Sequence, residues 1–104
     1  MITAKRALEE TKEALEDQLT RAKNLVRKDL PTIEKDILKA CSNGENKVYI
    51  YYTRKDCRKH KITYQGITTA LRKILMCEFG YEIKYGQDID NDLEVVISWR
   101  NADG

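Results

Sequence analysis

The sequence predicts an α+β fold: a long N-terminal helical arm, a second helix, and a three-stranded mixed sheet with helices on one face, in the order α-α-β-α-β-β. Three observations predict it. Thr3 to Lys28 contains neither Gly nor Pro and is dominated by Ala, Leu, Glu, Lys, Gln and Arg, the strong helix formers. Leu93-Glu94-Val95-Val96-Ile97-Ser98-Trp99 is the most continuously apolar run, rich in β-branched and aromatic residues and preceded by the turn-forming Asp88 to Asp92, which marks a central strand. Two further strand-like runs flank a stretch of helical periodicity, the signature of a split βαβ unit.

A chain of 104 residues holds one domain with a modest core, which is read as an arm over residues 1–28 and an α+β body over residues 29–104. With 19 Lys and Arg against 17 Asp and Glu, there is no strong overall pull toward nucleic acid or a membrane surface. No apolar run approaches the roughly 20 residues of a membrane span, and Met1 to Lys5 lacks the apolar centre of a signal peptide. Three cysteines at irregular spacing fit reduced thiols in a cytosolic compartment better than a disulfide framework. The charge is segregated. Residues 44–79 carry eight bases and three acids, whereas residues 80–104 carry two and six.

Thr3 suits the N-cap of the first helix. Leu8, Leu15, Leu19, Ala22 and Val26 recur at helical spacing and form a narrow apolar stripe. Five carboxylates and one lysine lie between Glu9 and Asp17, and four bases with no acid between Arg21 and Lys28, an order that suits the helix dipole. About 26 helical residues reach ~39 Å, more than so small a body can cover. The alternatives are a solvated helix lying on the core and an arm for an antiparallel copy of itself or a partner's helix. Pro31 predicts a kink or a new helix start, because proline is costly inside a helix and tolerated at its first position. The second helix then runs through Ile33, Ile37, Leu38 and Cys41 and stops at Ser42-Asn43-Gly44.

Lys47 to Thr53 is a strand by composition. Thr63 caps the crossover helix, whose apolar face is Ile67, Leu71, Ile74 and Leu75, followed by Phe79 and a stop at Gly80. Tyr81 to Tyr85 alternates as a half-buried strand. Two sheet orders are compatible with this chain path, and the patterns favour the Leu93 strand in the middle. Val48, Ile50, Tyr52, Tyr81, Ile83, Tyr85, Leu93, Val95, Ile97 and Trp99 then face the helices, with Trp99 committed to the core. Tyr49, Tyr51, Glu82, Lys84, Glu94, Val96 and Ser98 face away.

Chemistry is sparse. Cys57-Arg58-Lys59-His60, with Cys41 and Cys77, offers the donor types of a Cys3His zinc site, but the spacing matches no knuckle or finger, so no metal or other cofactor is expected. Cations around Cys57 favour a thiolate, yet the single histidine has no acidic orienter in its loop. No G-x-S-x-G, Gly-rich phosphate loop or H-E-x-x-H occurs, and no catalytic residue is assigned.

Two surfaces remain as binding candidates. On the arm they are Leu8, Leu15, Leu19, Arg21 and Val26, for a protein partner or a second copy. The other is a basic loop, Arg54, Lys55, Arg58, Lys59 and Lys61, together with Tyr49 and Tyr51, suited to nucleic acid or an acidic protein surface.

Met1 to Lys5, Gly44, Gly80-Tyr81-Glu82-Ile83 and Ile97-Ser98-Trp99 resemble a loose group of small α+β bacteriophage and prophage proteins. The basic loop from Arg54 to Lys61 departs from that group, where a shorter and less charged connection is expected. The resemblance implies a viral origin, a place in the host cytoplasm or the virion, and a binding role that is virion-associated or directed at a host component. The expected function is therefore non-enzymatic binding or assembly through protein contacts, with nucleic-acid binding as the alternative.

Overall fold

A computed structural model describes residues 1–100. Helix α1 spans Ala4–Ser42, followed by strand β1 (Lys47–Tyr52), helix α2 (Arg54–His60), helix α3 (Tyr64–Leu71) running into a π-helical turn (Arg72–Met76), and strands β2 (Glu82–Gln87) and β3 (Leu93–Ser98). The α+β class is as the sequence predicts.

The two expected N-terminal helices are one. α1 passes through Pro31 without a break, although an interior proline costs about 3 kcal/mol and removes a hydrogen bond. The apolar row explains the outcome: Ala22, Val26, Ile33, Ile37 and Ala40 are all buried and stay in phase across the proline. Burying a Val or Ile side chain contributes about 1.5–3 kcal/mol, so several together outweigh the local penalty. Leu38 and Cys41, expected on this face, are exposed, because the row continues through Ile37 and Ala40 instead. Gly44, at φ 76°, closes the helix: the Glu45 N–H donates to the Ala40 carbonyl at 2.9 Å and the Gly44 N–H to that of Cys41 at 3.0 Å.

β3 lies between β1 and β2, the order its apolar pattern favours. Every hydrogen-bonded pair is antiparallel, so the sheet is not mixed: β1 and β2 run in the same direction but never meet. The register aligns Val48, Ile97 and Ile83 in one row and Ile50, Val95 and Tyr85 in another. These rows face the helices and join Ala22, Val26, Ile67, Ala70, Leu71, Ile74 and Leu75 in one core.

Trp99 falls just outside β3 and is partly buried, not enclosed. Its ring packs edge-on against Tyr81, centroids 6.3 Å apart, and the Trp99 backbone N–H donates to the Asn46 carbonyl. Phe79 is also exposed, lying beyond the π turn where the chain leaves the core for Gly80, at φ 79°. The long axis of the molecule measures 60 Å, and a 39-residue helix of ~58 Å accounts for it. No helix among the described residues is long and apolar enough to cross a membrane.

Candidate functional site

The arm is built from the N-cap upward. Thr3 Oγ1 accepts from the Arg6 N–H at 3.2 Å and starts a helix whose first turns are exposed to solvent. All residues from Met1 to Asp17 are exposed except Ala7, which is half-buried. Leu8 and Leu15 are 55% and 56% exposed. Leu19 is partly buried against the core, and Val26 is fully enclosed at 0%. Val26 is therefore spent on packing and is not available to a partner. The free arm ends near Asp17 instead of Lys28, because α3 packs on α1 from Gln18 onward: a side chain at Gly66 would lie 3.9 Å from the Gln18 carbonyl and 3.7 Å from Ala22 Cβ. At 100° per residue, Leu8, Leu15, Leu19, Ala22, Val26, Ile33 and Ile37 lie within about 40° of one line. The exposed leucines thus extend the face that forms the core, beyond the point where the core stops.

Arg21 sits at the root of the arm. Its Nε–H donates to the Lys61 carbonyl at 3.2 Å, so the basic half of α1 meets the end of α2. Arg54, Lys55, Arg58 and Lys59 are exposed on α2, a helix where a loop was expected, and Lys61 is its left-handed C-cap. The local reason is capping: Thr53 Oγ1 accepts from the Asp56 N–H at 3.1 Å, and Tyr52 and Cys57, just before the cap and four positions into the helix, are both buried as a hydrophobic staple. The Thr53-x-x-Asp56 signature was readable and was hidden by the surrounding charge.

The tyrosines are elsewhere. Tyr49 and Tyr51, 50% and 53% exposed, occupy the face of the sheet turned away from α1. Tyr49 lies beside Val96, with Lys84 beyond it, and Lys47 Nζ sits 5.7 Å from its ring. Tyr51 is paired with Glu94. The structure therefore joins α2 to the arm root and leaves the two tyrosines on a separate surface of mixed charge.

Cys57 is buried, which pushes its thiol up, with Asp56 and Asp92 adding to the rise, opposite to the thiolate its basic neighbours suggested. Beneath α2, the Tyr52 hydroxyl is buried near the Asp29 carboxyl without reaching hydrogen-bond geometry. Burial raises the Asp29 carboxyl nearby, opposed by Lys28 and His60.

Cys41 and Cys77 are both exposed, and the cysteines and His60 form no cluster of ligand atoms among the described residues. The cluster that does form is Asp88, Asp90 and Asp92, with ligand atoms within 4.8 Å of one another. Its geometry belongs to the turn: Asp88 Oδ1 accepts from the Asp90 and Asp92 N–H groups at 2.9 and 3.0 Å.

Sequence reasoning missed a shallow apolar cleft lined by Leu30, Ile33, Glu34, Ile37, Leu75, Phe79 and Tyr81. Only the position of Phe79 after the helical repeat hinted at it. Comparison of the chain with protein-family models, with curated proteins and with solved structures finds no match in any of the three.

Proposed function

We propose that the protein is a non-enzymatic binding or assembly protein of phage type, virion-associated or host-directed, whose N-terminal arm makes protein contacts. One observation carries this reading: Leu8 and Leu15 lie more than half exposed on the line of the core-forming face of α1, at and beyond the edge of the described body. A helical segment of 14 residues is marginal in water by itself, and it adds little packing to the body, where Leu15 borders a groove with Gly66 and Thr69. Its apolar line favours a partner that supplies the missing surface.

The test compares the parent with Leu8→Glu/Leu15→Glu, in solution mass and in capture from lysate. Both substitutions are at exposed positions, so the melting temperature is expected to stay within a few degrees while an arm-dependent complex is lost. Identical mass and identical captured species in the two proteins would contradict the reading.

Nucleic-acid binding is the second reading. The contact between Arg21 and the Lys61 carbonyl supports it, since it extends the bases of α2 along α1. Affinity for a DNA or RNA duplex that falls steeply with salt and weakens in Arg58→Glu/Lys59→Glu would favour it.

A further inference from the structure

We infer that α2 docks in the major groove of double-stranded DNA, with Lys55, Arg58 and Lys59 on the phosphates that border the groove. The inference rests on the nucleic-acid reading and adds the form of the nucleic acid and the element that meets it.

α2 stands proud of the body. Of its seven residues only Cys57 is buried and only His60 is half-buried. At 100° per residue, Lys55, Arg58 and Lys59 lie within about 50° of the direction opposite those two anchors. Asp56 falls about 110° from it, on the flank that adjoins Asp29 of α1. Arg21, bonded to the Lys61 carbonyl, adds a base at the C-terminal end beside the exposed Lys61 side chain. No ion pair among the described residues engages any of these five cations. At the other end the basic surface stops. Tyr52 pairs with Leu93, and the Tyr64 hydroxyl donates to the Asn91 carbonyl at 3.1 Å, which sets the acidic Asp88 to Asp92 turn at the start of α2. Arg54 borders that turn and is left out of the footprint.

Three observations select the partner. Protein interfaces are anchored by desolvated aromatic and apolar side chains, and among the described residues no large apolar side chain is exposed on α2 or on residues 21–28 of α1. Single strands are held by rings on which bases stack. Here Tyr52 is buried, Tyr64 is half-buried, and the exposed Tyr49 and Tyr51 lie on a separate surface. What remains is charge carried on a narrow protruding helix. An α-helix with its side chains is about 10–12 Å across, and the B-DNA major groove, about 12 Å wide, admits one. The major groove of an RNA duplex is too deep and narrow to do so.

Fluorescence anisotropy of the full chain with a labelled DNA duplex, over a series of salt concentrations, tests the inference. With five cations on phosphates, the logarithm of the association constant is expected to fall with the logarithm of salt at a slope of about −4.5. Arg58→Gln/Lys59→Gln is expected to reduce that slope by about 2 and to weaken binding at low salt at least about tenfold. Lys5→Gln/Lys12→Gln makes the same change of net charge on the arm and should leave both unchanged. All four positions are exposed, so the melting temperature of each variant should match the parent. Equal losses in the two variants would mean that net charge, not α2, holds the DNA, and would overturn the inference. Single-stranded DNA or an RNA duplex of the same length bound as tightly would overturn the groove docking and leave the nucleic-acid reading standing. Polyglutamate bound as tightly as DNA would make this a surface for acidic proteins and overturn it. Absence of binding to any nucleic acid at low salt would remove both.

Discussion

The Arg21 guanidinium donates through Nε to the Lys61 carbonyl at 3.2 Å, tying the root of the arm to the last residue of α2. Lys61 itself is in the left-handed region, at φ 55° and ψ 47°, a conformation that costs a residue with a Cβ about 1 kcal/mol relative to glycine. Lys61→Gly is therefore expected to raise stability by up to about 1 kcal/mol in urea unfolding, because the bond from Arg21 goes to the backbone and survives the change. A loss of similar size would mean that the lysine side chain holds the cap.

The boundary of the arm follows from Ala22 and Val26, both at 0% exposure. Removing residues 1–17 should leave the melting temperature within a few degrees of the parent. Removing residues 1–28 deletes part of the core, and the chain should lose its cooperative transition in circular dichroism. Equal melting of the two truncations would show that the core does not use Ala22 and Val26.

Asp29 gives stability a pH dependence of defined sign. Burial, the leading cause, raises its carboxyl above the usual range, and Asp56 adds to this while Lys28, His60 and Tyr52 oppose it. The folded state then holds the proton more tightly than the unfolded chain. Its contribution is full below the unfolded pKa and is lost as pH rises through the raised folded value. Asp29→Asn should therefore melt higher than the parent at pH 7, and the gap should narrow as the pH falls toward 3. A gap that widens on acidification would reverse the sign.

Tyr52 lies beneath α2 with its buried hydroxyl near the Asp29 carboxyl but outside hydrogen-bond geometry. Deleting an unsatisfied buried hydroxyl is neutral or favourable by up to about 1 kcal/mol, so Tyr52→Phe is expected to unfold at equal or higher urea concentration. A loss above about 1 kcal/mol would show that the hydroxyl is bonded in solution.

Trp99 separates what the sequence carried from what it did not. Strand alternation placed its neighbours correctly: Val95 and Ile97 are fully enclosed and Tyr49 and Tyr51 face out, because a period of two leaves one choice once one face is buried. Trp99 was expected to follow this rule, but β3 ends at Ser98 and the ring packs at the rim on Tyr81. Trp99→Ala should accordingly cost about 1–3 kcal/mol, below the 3–5 kcal/mol of an enclosed aromatic.

Caps were legible where a threonine opens an apolar helix, at Thr3 and Thr63. At Thr53 the same signal was masked by five bases. Pro31 misled because its local preference yields to packing on both sides of it. Of the candidate sites, the exposure of Leu8 and Leu15 could be anticipated from a helix too long for its body. The enclosure of Val26 depends on where α3 docks, and spacing along α1 does not encode that.

On the proposed function, residues 1–17 make contacts between molecules and add little to the fold. Solution mass against concentration, by sedimentation equilibrium, tests it most directly. The full chain of 12.1 kDa is expected to rise toward twice its mass, while the chain lacking residues 1–17 stays monomeric. Superimposable curves for the two would contradict self-association through the arm.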